Sequence, residues 1–473
     1  MTLRGTGSAG PSRGAWVMLA GASVGYLLCV WAWALLGPLA PMLRERLGLT
    51  LLQQALVVAV PVVVGSLARI PAGALADRFG GRRVFLLVAL IAIAAVVELG
   101  FAGHQSLAGL LLGGVLLGAA GSAFTVGVPF VSGWFPVTRR GLAVGILGMG
   151  VCGSAVSAVT TVRLAARYGI TAPFLVAAVV LAAFAVIALL VLRDPPARAV
   201  PDRPVMRRLG AAIRLPITRQ ASGWYAIAFG GFVAISVYLP AYLHNAYGVA
   251  PDAAADRMAA VVLVAVLMRP VGGWLADRLS PLPPLAMALA VVVIAAVVLA
   301  RTPPLDPAAT VALLALSAGL AAASAATVAY IGRAAPPGMI GIVTGVVTAV
   351  AGLAGFAAPL IMALAFSRTG SYGPALTLLA TVSIAALLGV LHRTRRDRRG
   401  AATPARSLLV RAHAGHRADH LGESYEDEDR RPDEDEGAQS DLRPDEQGDP
   451  AQDQEQSRGD GPPPATVRRA ADA

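Results

Sequence analysis

Twelve runs of at least 18 apolar residues, nearly free of charge, constrain this chain more than any other feature. They fall at about 16–40, 51–76, 84–102, 107–133, 141–165, 171–192, 222–244, 257–276, 282–300, 307–331, 339–366 and 372–391. Roughly 20 helical residues at a rise of ~1.5 Å cross a hydrocarbon core about 30 Å thick, so each run predicts a membrane-spanning helix. In lipid every backbone N–H and C=O must be satisfied within the structure, and a continuous apolar run of this length meets that demand only as a helix. Hydrophobic residues make up 56% of the 473 and charged residues 14%, against about 25% charged in soluble domains. The expected fold class is an all-α membrane protein. The first run is longer than the roughly 7–15-residue apolar stretch of a secretory signal, so it is expected to remain as the first helix.

Arginine sets the expected orientation. The chain has no Lys, and its net +11 divides into +20 through residue 400 and −9 beyond it. The even-numbered connections carry Arg78, Arg82 and Arg83, then Arg139 and Arg140, then a Pro- and Arg-rich stretch from Arg193 to Arg219, then Arg278 and Arg333. The odd-numbered connections hold few: Arg44, Arg46, Arg163, Arg167, Arg301 and Arg368. Excess Arg marks the cytoplasmic side, so a multi-pass protein of the plasma membrane with both termini in the cytoplasm is expected. These arginines flank apolar runs rather than lining a soluble face, which excludes a nucleic-acid partner in favour of the bilayer. The expected organisation is a cytoplasmic N-terminus (1–15), a six-helix bundle (16–192), a basic cytoplasmic linker (193–221), a second six-helix bundle (222–391) and a cytoplasmic tail (392–473). Beyond about residue 400, acidic clusters such as Glu426–Asp429 and Asp433–Glu436 lie among Pro, Gln, Gly and Ser, a composition that predicts disorder. A partner for the tail is not readable.

The two bundles are copies. Arg69-Ile-Pro71-Ala-Gly73-Ala-Leu75-Ala76-Asp77-Arg78 recurs 200 residues later as Arg269-Pro-Val-Gly272-Gly273-Trp-Leu275-Ala276-Asp277-Arg278, and the same offset aligns Pro136 with Pro336, Gly141 with Gly341 and Gly145 with Gly345. Two repeats in the same sense predict an axis along the membrane normal, with a binding site between them near the midplane.

Arg69 and Arg269 are the candidate ligands of that site. Each is expected ~10–12 Å inside its helix, where a cation costs about 2.5–3.5 kcal/mol on insertion scales and is functional by default. The helical cores offer no acid to neutralise them. Two such charges about 10 Å apart repel by roughly 1.7 kcal/mol at an effective dielectric near 20, whereas an anion about 4 Å from each gains roughly 4 kcal/mol per contact. The planar guanidinium fork suits a planar oxyanion. A second constellation is glycine: Gly141, Gly145, Gly148, Gly150 and Gly153 in the fifth run, Gly341, Gly345, Gly352 and Gly355 in the eleventh. Their spacing lets backbones approach closely and is expected to make a sliding surface between conformations. Tyr225 and Phe229, four apart, share a helical face. Asp77, Arg78, Asp277 and Arg278 lie at helix ends and are expected to pair as a cytoplasmic gate. Cys29 and Cys152 lie singly in apolar runs, and no metal cluster, phosphate loop or nucleophile with a positioned base appears, so neither a cofactor nor enzymatic activity is expected.

These residues resemble a known family. Gly73-Ala-Leu75-Ala-Asp77-Arg78-Phe-Gly80-Gly81-Arg82-Arg83 is similar to the signature loop of the major facilitator superfamily. Trp33-Ala-Leu-Leu-Gly-Pro38-Leu-Ala-Pro41, Val128-Pro129-Phe-Val-Ser132-Gly-Trp134-Phe135-Pro136 and the two glycine helices resemble the nitrate/nitrite porter family within it. The resemblance covers about residues 15–395. It implies a major facilitator fold in which Arg69 and Arg269 grip nitrate or nitrite from opposite halves, with Phe124, Tyr225 and Phe229 as pocket aromatics. Two departures from the family pattern are Val151, where Asn is usual, and Thr348, Ala351 and Ala354, where glycines are expected. The function expected is secondary transport of nitrate and/or nitrite by alternating access, as anion exchange, because no titratable side chain is foreseen beside the arginines. The alternatives are a carrier of other small or organic anions or drugs on the same fold, with proton coupling through Glu98 or His244, and an anion sensor signalling through its tail.

Overall fold

The computed structural model describes residues 11–196 and 204–396. Among them, twelve helices are long and apolar enough to cross a membrane: α1 Arg13–Leu47, α2 Leu51–Phe79, α3 Gly81–Phe101, α4 Leu107–Trp134, α5 Val137–Tyr168, α6 Ala172–Val191, α7 Pro216–Tyr247, α8 Ala253–Leu279, α9 Leu282–Ala300, α10 Leu305–Ala334, α11 Ile340–Thr369 and α12 Gly373–Arg396. They form two six-helix halves, α1–α6 and α7–α12. The tail beyond 396, including its acidic clusters, lies outside the described residues.

Three boundaries differ from those expected. The first helix runs on to Leu47, taking Arg44 and Arg46 into its last turn, because Leu39 and Leu43 are fully buried and Gly48, at φ 63°, makes the left-handed stop. The linker is not all connection. Val205–Arg214 is a helix that buries Arg208 and Ala212 on one face, and α7 begins at Pro216, a residue suited to a first helical turn. The last helix extends to Arg396 rather than ending at 391.

Several spans are broken where the sequence is rich in glycine. α4 is interrupted at Gly121 and Ser122, and α5 tightens into a 3-10 turn over Met149–Cys152, between Gly148 and Gly153. The buried core of the first half, with Phe85, Phe174 and Leu117, continues into the second through Tyr225, Val328, Ile331, Val343 and Val347. Two further clusters belong to the second half. The halves therefore share apolar packing on α7, α10 and α11.

Candidate functional site

Arg69 lies in the middle of α2 and is half-buried. At the break in α4 the ladder slips to i−3 pairing, Thr125 N to Ser122 O at 3.0 Å, and the Gly121 carbonyl accepts from Arg69 Nε at 3.2 Å. Nη1 donates to the Thr348 carbonyl of α11 at 2.6 Å. The guanidinium thus joins one carbonyl from each half, and its carbon lies 5.7 Å from the centre of the Phe229 ring, a cation–π distance. Thr348 is held in turn. Its hydroxyl donates to Thr344 O at 2.7 Å and lies 2.9 Å from the Thr125 hydroxyl across the halves.

Arg269, its repeat partner on α8, is in a different situation. It is 4% exposed, yet Nε and Nη2 have no hydrogen-bond partner among the described residues. The cause is local: α10 is an unbroken helix over Thr310–Ala334 at the place equivalent to the α4 break, so it presents no released carbonyl. Nε and Nη2 form one edge of the guanidinium plane, a two-donor fork. Beside them Ser324 Oγ, also buried, lacks a partner among the described residues. Phe124, Tyr225, Gly148, Ser324 and Arg269 line one small cavity, and Phe232 lies under the guanidinium at 5.5 Å.

The expected aromatics therefore cross over between halves: Phe229 of α7 accompanies Arg69, and Phe124 of α4 accompanies Arg269. Tyr225 and Phe229 stack nearly parallel with centroids 5.9 Å apart, and Tyr26 packs on Phe124 at 5.3 Å. Tyr225 is buried and borders the Arg269 cavity. Glu98 packs instead on Gly103 and Gly113 between α3 and α4, and His244 bonds the Val249 carbonyl at 3.2 Å.

At the end of the bundle that carries Asp77, the halves are clamped. Asp77 accepts from the Gly341 and Ile342 amides at 2.8 and 3.0 Å, and Asp277 from the Gly141 and Leu142 amides, both at 2.8 Å. Each carboxylate caps the first turn of a helix in the opposite half, where free N–H groups and the helix dipole favour a negative charge. The arginines that complete these contacts are not the sequence neighbours that were expected. Asp77 pairs with Arg208 of the linker helix at 2.8 Å, and Asp277 approaches Arg333 of α10 at 3.7 Å. Arg78 and Arg278 lie over the rings of Phe79 and Trp274.

The nine glycines do three jobs. Gly141 and Gly341 meet Gly273 and Gly73 backbone to backbone, and Gly145 and Gly345 meet the Arg269 and Arg69 carbonyls, so an added Cβ at any of these overlaps a carbonyl oxygen. These four set α5 on α8 and α11 on α2 across the halves. Gly148 and Gly352 face the arginines: a Cβ at Gly352 overlaps Ser66 Oγ and comes 2.7 Å from Arg69 Nη1, whereas at Gly148 its nearest neighbour is Arg269 Cδ at 3.4 Å. Gly150 and Gly153 pack on α1, and Gly355 on Phe229 and Val233 of α7. Val151 packs against the core of the second half.

Sequence reading missed Ser324, Thr125, Thr348 as an arginine ligand, Tyr26, Phe232 and Arg208. Only Ser324 carried a usable signal, since it stands at the 200-residue offset from Phe124.

A model of the Major Facilitator Superfamily matches residues 22–359. The chain is 40% identical over 365 residues to the "Probable nitrate/nitrite transporter NarK2" of Mycobacterium tuberculosis, covering 76% of this chain and 92% of that protein. It is 31% identical over 363 residues to the "Nitrite extrusion protein" of Bacillus subtilis, covering 76% and 89%. Among solved structures, the transporter FucP in the outward conformation superposes with a TM-score of 0.67 over 80% of this chain and 99% of its own, at 16% sequence identity, a likeness of fold. With a superfamily match across most of its length and a relative at 40% identity, the chain belongs to the major facilitator superfamily and, within it, to the nitrate/nitrite porter family of transporters.

Proposed function

We propose that the protein carries nitrate and/or nitrite across the plasma membrane by alternating access, exchanging one anion for another, with both termini in the cytoplasm. The observation that carries this reading is the Arg269 edge: two buried guanidinium donors and the Ser324 hydroxyl, all without partners among the described residues, at one small cavity. Leaving a buried donor unsatisfied costs about 1–3 kcal/mol, more for a charged group. A planar oxyanion offers two coplanar acceptors to the fork and a third oxygen to a hydroxyl. Phe124 and Tyr225 wall the same cavity, so the fork and the hydroxyl face an otherwise largely apolar space. The relatives, a probable nitrate/nitrite transporter and a nitrite extrusion protein, support nitrate and nitrite.

Exchange follows from the charges. The two guanidiniums have no acid in the helical cores, so the empty carrier must reorient with their repulsion unscreened, and a bound anion removes much of that cost. Monovalent exchange is also electroneutral, avoiding the ~2.3 kcal/mol that ~100 mV imposes on net anion entry. Asp77 and Asp277 act as the cytoplasmic gate, releasing the first turns of α11 and α5 when that end opens, while the glycine contacts of α5 and α11 allow the sliding. In proteoliposomes, labelled nitrate should enter rapidly against internal nitrite and slowly into an anion-free lumen. Rapid uptake into anion-free vesicles driven by an inward proton gradient would overturn exchange.

A further inference from the structure

A second polar cavity lies at the Asp77 end, away from the arginine pair. Its volume is about 430 Å³, room for roughly fourteen waters at ~30 Å³ each. Both halves wall it: Asp77, Ser132, Gly133 and Arg140 from the first, Arg333 and Gly338 from the second. Ser132 is 1% exposed and its hydroxyl has no partner among the described residues; Arg333 Nε is also buried and unpartnered. Arg140 donates through Nε to the Phe135 carbonyl at 3.1 Å and through Nη1 to the Gly332 carbonyl at 3.4 Å, uses that leave Nη2 to spare.

Asp77 also faces this space, but its charge is already met by Arg208 and two amides. Arg333 likewise faces Asp277, at 3.7 Å. Counting Arg140, Arg208 and Arg333 against Asp77 and Asp277, the surroundings remain cationic. The donors reach the cavity from three helices, α4, α5 and α10, an arrangement that suits a tetrahedral oxyanion better than a planar one.

We propose that this cavity is a second oxyanion site, taking a phosphate group, whose occupancy holds the Asp77 end closed. Because its walls come from both halves, the cavity exists only while Asp77 and Asp277 are docked. A ligand that binds one state alone stabilises that state by RT ln(1 + [L]/Kd). Inorganic phosphate, a phosphorylated solute and a lipid headgroup share the chemistry.

The test uses the full-length chain in nanodiscs of neutral phosphatidylcholine, titrated with inorganic phosphate by calorimetry. The wild type should bind, and Ser132→Ala should weaken binding about tenfold, as expected for one hydrogen bond to a charged group. Arg269→Lys, which disables the proposed transport site, should bind phosphate as the wild type does, so failure of the transport reading leaves this result standing. At phosphate ten times its Kd, hydrogen exchange of the Gly341 and Ile342 amides should slow roughly tenfold. No binding by the wild type, binding lost in Arg269→Lys but kept in Ser132→Ala, or unchanged amide exchange at saturation would each overturn the proposal. Repeating the titration with one-third phosphatidylglycerol separates the sources: a headgroup occupant blocks added phosphate, and a soluble one leaves it unaffected.

Discussion

Arg69 and Arg269 occupy equivalent positions in two copies of one motif, yet Nε of the first is bonded to a carbonyl and Nε of the second is not bonded to any described residue. Arg69 donates to Gly121 and Thr348, carbonyls of opposite halves, and is half-buried. Arg269 is 4% exposed with the Nε and Nη2 edge unsatisfied by any described residue. The difference traces to a helix break present in α4 and absent from α10. A sequence repeat therefore does not guarantee a chemical repeat: in this closed-end conformation Arg69 works as a strut between halves, and Arg269 presents the fork.

Lysine substitution separates the two roles most strongly. Arg269→Lys removes two charge-assisted bonds at ~2 kcal/mol each and should lower nitrate counterflow about 1,000-fold in correctly inserted protein. Arg69→Lys keeps a cation able to reach one carbonyl and should cost about tenfold. Equal losses would mean that the asymmetry does not survive in the working carrier.

The clamp is asymmetric in the same sense. Asp77→Asn breaks a carboxylate–guanidinium pair in which both side chains are 4% exposed, and should destabilise the closed end by about 3 kcal/mol, read as lowered thermal stability in detergent. For Asp277→Asn the partner is 3.7 Å away and 24% exposed, so the loss should be about 1 kcal/mol. A larger effect at Asp277 would put the principal clamp in the other half.

Glycine sharpens the contrast at the next level down. Gly352→Ala drives a Cβ into Ser66 and the Arg69 guanidinium and should cost about 2 kcal/mol of stability, as overpacking does. Gly148→Ala meets only ordinary contacts beside Arg269 and should stay within about 0.5 kcal/mol of wild type. Thr125→Val, which deletes the hydroxyl contact to Thr348, should cost about 1 kcal/mol and leave the Arg269 side untouched.

Much of this molecule was legible without coordinates. Twelve apolar runs became twelve spans because lipid leaves the backbone no other way to satisfy its polar groups. The 200-residue offset paired Arg69 with Arg269, Asp77 with Asp277 and Gly141 with Gly341, and a repeat of that kind survives translation into structure because it is local. Linker residues were less legible. Nothing in the sequence distinguishes Arg208 from its arginine neighbours, because its selection depends on which face of a ten-residue helix meets Asp77.

By itself, then, the sequence determined membrane residence, helix number, the two-fold repeat and the cation pair, since each rests on hydrophobicity or spacing along the chain. Tertiary structure alone decided what each cation does. Whether a carbonyl is released to Arg69, whether a serine stands unpaired beside Arg269, and which arginine reaches Asp77 depend on contacts between residues 52, 55 and 131 positions apart. Hydrogen bonds form between whatever packing brings within about 3 Å, and periodicity along one helix carries no information about its neighbour's breaks.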